Sequence, residues 1–397
     1  MKYDFETVVK RYDIGVPKYE SMLKVNPEYK NMDIIPFSVA DMELKNAPEI
    51  TEGLKKYIDT YSMGYVHTYD AYLEAVCGWL KRRHGWDVKK EWILDTHGVQ
   101  EAFYNIVKLF TEPGDGVIVM SPHYAPLYES ILVNNRKPLE NALVQVDGKY
   151  EIDFEDFEKK AKDPSTKLFL LCSPQNPTGR VFKKEELERL GRICIDNNVL
   201  ICVDEIHCDF ISPNYQFVPF ASISEEFAQH SMVCTSPSKT FSLPGLQTAS
   251  LIVPNEKLRE TFLNYQKTIA HFPKLASLGY EACRLAYTES EAWFDDCQKL
   301  IETNKQLIVE FFEKNYPSIK VTELEGTYLM WIDFRCLELP AEKLADLLKE
   351  EAQLFFSDGY TFGEDGRGFE RWNIACPTRY IEEALDRLKL FLDKHMK

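Results

Sequence analysis

The sequence predicts an α/β fold in which a largely parallel sheet is covered by helices on both faces. Short, continuous apolar runs recur through the middle of the chain, at residues 117–120, 168–172, 199–203, 232–234 and 250–253. Helical patterns stand between them, as at residues 184–197, where leucine and isoleucine recur at helical spacing. Continuous apolar strands that alternate with helices are typical of a parallel sheet buried on both faces.

The chain of 397 residues, 45% of them hydrophobic, is long enough to form two domains. We expect an N-terminal segment (1–47) that contributes to a small domain, a large domain (48–286) and a C-terminal small domain (287–397). A long amphipathic helix leads into the small domain, which we expect to combine helices with a strand. The predicted elements outside the sheet are helices at 48–61, 69–84, 289–314, 341–351 and 381–394, and a strand at 327–334.

The composition indicates which partners and which cellular compartment to expect. The 397 residues include 47 Lys and Arg against 63 Asp and Glu, so the formal charge is −16. This acidic balance argues against nucleic acid and anionic membrane as partners. Residues 1–10 show no secretory signal, and the apolar runs are too short to span a bilayer. Ten cysteines without a C-x-x-C pair predict a reduced, cytoplasmic protein. The histidines form no metal-binding pattern, so we expect no metal.

Four polar or aromatic side chains stand just after four of the apolar runs. They are Tyr124, Asn176, Asp204 and Lys239. Ligands of such sheets bind beyond the carboxyl ends of the strands, so we expect these side chains to meet at one edge. Each also has a plain structural interpretation: a packing aromatic, a turn residue, a member of an ion pair and a surface charge, respectively.

The functional interpretation is a pyridoxal 5′-phosphate site. This cofactor needs an imine lysine, a phosphate cradle and an acid that faces the ring nitrogen. Lys239 lies between small hydroxyl residues and would form the imine, and Asp204 would keep the ring cationic. In this interpretation Tyr124 stacks on the ring and the Asn176 amide donates to its phenolate oxygen.

Two stretches together indicate a phosphate cradle. Gly98, Val99 and Gln100 stand where a helix is predicted to begin, and unpaired backbone N–H groups at such a point attract an anion. Ser236 and Ser238 flank the predicted imine lysine and offer hydroxyl groups. A glycine at a helix start is weak evidence, and its pairing with the serine-rich turn makes it stronger.

Two further side chains have both a functional and a plain interpretation. His207 lies three residues after Asp204 and is either a core histidine or a neighbour of the phenolate oxygen. Arg371 precedes an apolar, strand-like run, and its guanidinium fork matches a carboxylate with two parallel hydrogen bonds. A surface salt bridge is the alternative for Arg371.

With these residues the chain resembles the class I/II aminotransferase superfamily, the fold type I pyridoxal-phosphate enzymes. The resemblance rests on S-P-Q-N-P-T-G at 173–179, D-E-I-H at 204–207, S-K at 238–239 and R-W-N-I-A at 371–375. More closely, the chain is similar to the cystathionine β-lyase subgroup, the MalY/PatB type of C–S lyase. The segments that carry this closer likeness are 38–42, 204–207, 238–248, 326–331, 359–363 and 373–377.

One departure from the wider superfamily favours the lyase subgroup. Many aminotransferases carry a phosphate-binding arginine shortly after the lysine, and Gln247 and Thr248 stand in that region here. The lyase subgroup commonly lacks the arginine as well. By contrast, H-G-V-Q at 97–100 is nearer to the general aminotransferase pattern.

The resemblance implies roles for individual residues. Lys239 would be both imine lysine and catalytic base, and Arg371 would bind the substrate α-carboxylate, with Ala40 and Asp41 also at the substrate. Tyr65 matches a catalytic, cofactor-binding tyrosine that reaches the phosphate of the neighbouring subunit, which implies a homodimer with shared sites. The implied fold is a large cofactor-binding domain with a smaller α+β domain.

The implied reaction is β-elimination. A cysteine S-conjugate such as L-cystathionine would yield a thiol, pyruvate and ammonia, a reaction of methionine biosynthesis. One alternative is an aminotransferase that uses the same cofactor. The other is a non-catalytic regulatory protein that keeps the cofactor as a structural ligand.

Overall fold

The computed structural model describes residues 2–146, 148–268 and 275–396, and the larger of its two sheets has eight strands. In chain order they are β1 (Ile93–Thr96), β2 (Gly116–Ser121), β3 (Lys137–Val146), β4 (Lys149–Ile152), β5 (Thr166–Cys172), β6 (Leu200–Asp204), β7 (Ser231–Thr235) and β8 (Ala249–Ile252). Their order across the sheet is β1-β8-β7-β6-β5-β2-β3-β4. The strands from β7 to β3 run parallel, whereas β8 is antiparallel to both neighbours and β4 is antiparallel to β3. The predicted, largely parallel sheet is confirmed.

Helices cover the sheet and connect its strands. They are α1 (Pro17–Val25), α2 (Pro48–Thr60), α3 (Asp70–His84), α4 (Val99–Phe110), α5 (Ala125–Val133), α6 (Phe154–Ala161), α7 (Lys184–Asp196), α8 (Glu225–Gln229), α9 (Pro237–Thr240), α10 (Glu256–Thr268), α11 (Ser277–Glu289), α12 (Glu291–Asn315), α13 (Ala341–Glu350) and α14 (Thr378–His395). Each helix predicted from the sequence is present within a few residues of its expected bounds. None of the helices in the described ranges is long and apolar enough to cross a membrane.

Both faces of the central sheet are buried, which explains the unbroken apolar runs. Along β5, Leu168 and Leu170 belong to a cluster with α4 and α10, whereas Phe169 and Leu171 face the opposite core. That second core continues through α7, α11 and α12 to the smaller sheet. A strand buried on both faces has no position for a solvated side chain, so polar residues appear only where the strand ends.

The smaller sheet consists of β9 (Lys320–Val321), β10 (Leu329–Asp333), β11 (Ser357–Asp358) and β12 (Phe369–Asn373). Its order is β11-β12-β10-β9, and all its pairs are antiparallel. The N-terminal segment joins this sheet through Phe37, whose N–H donates to the Phe355 carbonyl and whose carbonyl accepts from the Asn373 N–H, both at 2.9 Å. The N-terminal segment is thus hydrogen-bonded to the smaller sheet and to the loop before β11. The exact domain boundaries stay a prediction.

Candidate active site

A cavity of about 470 Å³ lies at the carboxyl ends of the parallel strands. Eleven of the fourteen predicted site residues line it: Ala40, Gly98, Val99, Gln100, Tyr124, Asn176, Asp204, His207, Ser238, Lys239 and Arg371. The other three, Tyr65, Ser236 and Asp41, lie elsewhere.

The strand register brings the central residues together. Asp204 ends β6, and its neighbours in the register are Cys172 on β5 and Cys234 on β7. Asn176 stands four residues after β5 ends and Lys239 four residues after β7 ends. Three adjacent parallel strands therefore deliver an amide, a carboxylate and an amine to one place.

Lys239 lies on the short helix α9 and points into the cavity. Its Nζ donates to the Ala40 carbonyl oxygen at 2.8 Å. The pKa of Lys239 is lowered to about 8, mainly by burial and to a lesser extent by the positive charge of Arg371. An amine with this pKa supplies a neutral, nucleophilic fraction near neutral pH, which an imine-forming lysine requires.

Asp204 is a buried carboxylate whose ionised form a neighbouring cation would stabilise. Its Oδ1 accepts from the Ile206 N–H at 3.1 Å. Burial raises the pKa of Asp204 to about 6, although this hydrogen bond and the charge of Lys239 act in the opposite direction. A protonated ring nitrogen would supply the missing positive partner and restore the ionised carboxylate.

Arg371 on β12 spans the cavity from the smaller sheet. Its Nη1 donates to Asn176 Oδ1 at 2.9 Å, and its Nη2 donates to Ser357 Oγ at 3.1 Å. The guanidinium lies over the ring of Phe362, 4.7 Å from the centroid. Burial lowers the pKa of Arg371 to about 10, so the side chain stays cationic at neutral pH. This buried fork fits a carboxylate ligand better than the alternative of a surface salt bridge.

Tyr124 and His207 both stay neutral in this setting. The Tyr124 hydroxyl accepts from Gln100 Nε2 at 2.6 Å, and burial raises its pKa to about 12. Burial likewise lowers the pKa of His207 well below its usual range. Within the described ranges, His207 Nδ1 is buried without a hydrogen-bond partner. Such an orphaned atom at a cavity wall fits a polar ligand atom opposite it.

The start of α4, where the phosphate cradle is predicted, leaves backbone N–H groups open to the cavity. Gly98 adopts a φ of 89°, and a side chain there would project into open space. No side chain caps α4 among the residues described, so the first N–H groups, including those of Val99 and Gln100, remain for an anion. Ser238 also lines the cavity.

Ser236 has a different environment. Its Oγ accepts from the Ser238 N–H at 3.1 Å and lies 2.6 Å from the Thr248 carbonyl oxygen. It therefore caps α9, the helix that carries Lys239. A direct contact between Ser236 and a phosphate stays a prediction.

Tyr65 and Asp41 also lie outside the lining of the cavity. Tyr65 is fully exposed on the loop after α2. The Asp41 carboxylate pairs with Lys18 Nζ at 2.6 Å and with Arg11 Nη1 at 2.9 Å. Asp41 thus anchors the N-terminal segment beside Ala40. The roles predicted for Tyr65 and Asp41 stay predictions.

The structure adds residues that the sequence did not single out. Val39 lines the cavity with a φ of 56°, a left-handed conformation that is unusual for a β-branched residue. Asn373 Nδ2 donates to the carbonyls of Val39 and Asp41 at 2.8 and 2.7 Å. The Tyr328 hydroxyl donates to the Ala40 carbonyl at 3.0 Å. Side chains from the smaller sheet thus hold residues 39–41 in place against Lys239.

Comparison with known proteins identifies the family. Residues 33–388 match the model of the family described as aminotransferase class I and II. The chain belongs to this family. It is 37% identical to the cystathionine β-lyase PatB of Bacillus subtilis, over 91% of this chain and 93% of that protein. The resemblance seen in the sequence is therefore confirmed.

Two solved structures are similar over nearly the whole chain. Cystalysin from Treponema denticola, which contains pyridoxal 5′-phosphate, superposes with a TM-score of 0.95 at 43% identity, covering 99% of this chain and 100% of that one. A pyridoxal-phosphate-bound C–S lyase from Staphylococcus hominis superposes with a TM-score of 0.91 at 26% identity, covering all of both chains. The predicted fold class is confirmed.

The site of this chain fits the same cofactor. Lys239 supplies a neutral amine, Asp204 is a buried carboxylate with a raised pKa, and His207 Nδ1 has no hydrogen-bond partner among the described residues. The open backbone at Gly98 provides the place for a phosphate. These features lie around one cavity, as the cofactor requires.

Proposed function

We propose that this protein is a pyridoxal-phosphate-dependent carbon–sulfur β-lyase. Its substrates would be L-cystathionine or related cysteine S-conjugates, and its products a thiol, pyruvate and ammonia. The observation that carries the proposal is the convergence of Lys239, Asp204 and Arg371 on one cavity. The similarity to PatB, named as a cystathionine β-lyase, and to the C–S lyase of Staphylococcus hominis supports the choice of reaction.

The residues of the cavity divide into cofactor and substrate positions. Bound pyridoxal phosphate would supply an electron-withdrawing ring that stabilises negative charge on the substrate α-carbon. Asp204 would hold the proton on the ring nitrogen, and Tyr124 would stack on the ring. Asn176 and His207 would contact the phenolate oxygen.

Arg371 would bind the α-carboxylate of the amino acid through its two terminal nitrogens. Those nitrogens now donate to Asn176 and Ser357, so the substrate would replace neutral acceptors with a charged one. Charge-assisted, bidentate hydrogen bonds are stronger than neutral ones. This contact would turn the α-hydrogen toward Lys239, which would remove it with its neutral amine.

The test measures pyruvate released from L-cystathionine by the purified holoenzyme without any keto acid. We expect steady turnover, with thiol and pyruvate in equal amounts. If turnover requires 2-oxoglutarate or another keto-acid acceptor, the protein is an aminotransferase and the lyase proposal is wrong. Both reactions use the same residues up to removal of the α-proton, so only the product decides.

The proposal extends to assembly and compartment. We propose a cytoplasmic homodimer in which Tyr65 reaches the phosphate bound by the other subunit. A run of exposed apolar side chains at the end of α2 and in the loop after it supports this: Ile58, Tyr61, Met63 and Tyr65. Single exposed apolar residues are normal, but a cluster is typical of an interface.

A further inference from the structure

A second buried carboxylate lies behind the cavity and belongs to no role described above. Asp209 follows the segment 204–207, and its side chain is 3% exposed. Its Oδ1 lies 2.7 Å from His84 Nε2 and accepts from Trp79 Nε1 at 3.0 Å. His84 is the last residue of α3, and Trp79 lies on the same helix. Asp209 thus ties the end of β6 to α3.

A further contact of Asp209 is made by the residue next to the lysine. The Thr240 hydroxyl donates to Asp209 Oδ2 at 2.5 Å, and Thr240 is the residue that follows Lys239. Helix α9 has only four residues and therefore few hydrogen bonds of its own. Ser236 caps its first end, and Asp209 holds its last residue.

The chemistry of this cluster points to a charged anchor. Hydrogen bonds from His84, Thr240 and Trp79 lower the pKa of Asp209 despite its complete burial. The Cys208 thiol also lies near, and together with His84 and Asp209 it has the spacing of a metal site. However, both carboxylate oxygens already accept hydrogen bonds from protein groups. A buried carboxylate satisfied in this way is suited to hold its donors in place.

We propose that Asp209, held by His84 and Trp79, is a positioning residue that fixes Thr240 and thereby aims the Lys239 side chain. The inference rests on the proposed role of Lys239 as imine lysine. It does not depend on which reaction follows, because the imine can be observed without substrate. A lysine held at the wrong angle would form the imine less well and would transfer the α-proton more slowly.

The test uses Thr240→Val, which keeps the shape of the side chain and removes the hydroxyl. We expect the pH midpoint of the imine absorbance to shift and kcat to fall by about tenfold or more, with KM changed by less than about twofold. Thr240→Ser restores the hydroxyl and should return both values toward wild type. Asp209→Asn should act in the same direction.

Thr166→Val is the matched control. Thr166 is also buried, and its hydroxyl donates to the Lys160 carbonyl at 2.7 Å, but it lies at the opposite end of β5 from the cavity. We expect a lower melting temperature and an unchanged imine spectrum in this variant. The proposal is overturned if Thr240→Val keeps the wild-type pH midpoint and kcat, or if both valine variants change them equally.

Zinc titration of the holoenzyme tests whether His84, Cys208 and Asp209 form a metal site instead. We expect no stoichiometric zinc binding by calorimetry. Zinc bound by the wild type and lost in Cys208→Ser would instead make the cluster a metal site and overturn the positioning role. A protein without lyase activity but with the predicted spectral shift would refute the proposed function and leave this inference standing.

Discussion

Asp204→Asn gives opposite effects on activity and on stability. The amide is nearly the same size as the carboxylate, and its oxygen can still accept from the Ile206 N–H. The substitution removes the charge that would hold the proton on the ring nitrogen. An amide N–H would instead face that nitrogen and would favour its unprotonated form.

The magnitude follows from the pKa of Asp204. Burial raises this pKa from its ordinary value of 3.8 to about 6. At 1.36 kcal/mol for each pH unit, ionisation of Asp204 in the folded, cofactor-free chain costs about 3 kcal/mol. A carboxyl group with a raised pKa in the folded state destabilises the fold as pH rises through that pKa. Asn carries no such cost, so the variant should be more stable at pH 8.

Urea unfolding of the cofactor-free protein measures the effect. We expect Asp204→Asn to exceed the wild type by up to about 3 kcal/mol at pH 8, with the difference closing as pH falls toward 4. The holoenzyme should lose about a hundredfold or more in kcat/KM, because a comparable free energy is no longer available in the transition state.

A matched control and two outcomes decide the case. Asp333→Asn removes a carboxylate that pairs with Arg335 on the smaller sheet, outside the cavity. It should leave kcat/KM unchanged and should not raise stability. The reasoning would be refuted if Asp204→Asn proved less stable than the wild type at pH 8, or if it kept most of its activity.

Three further predictions address the lysine, the arginine and the tyrosine. The rate at which pyridoxal phosphate binds the cofactor-free protein should rise up to about pH 8 and then level off, because Lys239 must be neutral to attack. Stopped-flow absorbance measures this rate, and a rate without pH dependence would contradict the prediction. Arg371→Lys should raise KM for the amino acid about tenfold, since an ammonium cannot form two parallel bonds; steady-state kinetics with an unchanged KM would argue otherwise. Tyr65→Phe should weaken cofactor binding about tenfold, measured by equilibrium dialysis. Equal affinity in Tyr65→Phe would speak against a shared site.

The sequence predicted the centre of the site because of where polar residues can stand. A strand buried on both faces has room for a carboxylate or an amine only at its end or beyond it; Asp204 is the last residue of β6, and Lys239 lies four residues after β7. The same reasoning located Asn176 and Tyr124. Family, fold class and cofactor followed from these residues, and the comparisons confirmed them.

Other features depend on contacts that no local pattern reveals. The apolar run of β8 gives no direction, and the strand proves to be antiparallel to β7. The edge strand β4 and its neighbour β3 are partly exposed and lack a continuous buried run. Tyr328 directly precedes β10 and Asn373 ends β12, and their contacts with residues 39–41 join positions about 300 residues apart in sequence.

Ser236 shows how one residue can satisfy two patterns. A serine followed by a proline at the first helical position is typical of a helix cap, and Ser236 has this role in α9. A serine beside the imine lysine also matches a phosphate cradle, which is the prediction made from the sequence. The cap still serves the site, because it holds the helix on which Lys239 lies.

The adjacency of β5, β6 and β7 has a consequence for how reactions diversify on this scaffold. Backbone hydrogen bonds hold neighbouring strands about 4.8 Å apart. This spacing sets the lateral separation of the three strand ends that carry or lead to the amide, the carboxylate and the amine. Substitutions elsewhere leave the spacing of these strands unchanged, because the backbone hydrogen bonds of the sheet set it. Freedom to choose a substrate or a product therefore resides in the parts that lie across the cavity, residues 39–41 and the smaller sheet with Arg371. Redesign of this enzyme should vary those parts and leave strands β5, β6 and β7 unchanged.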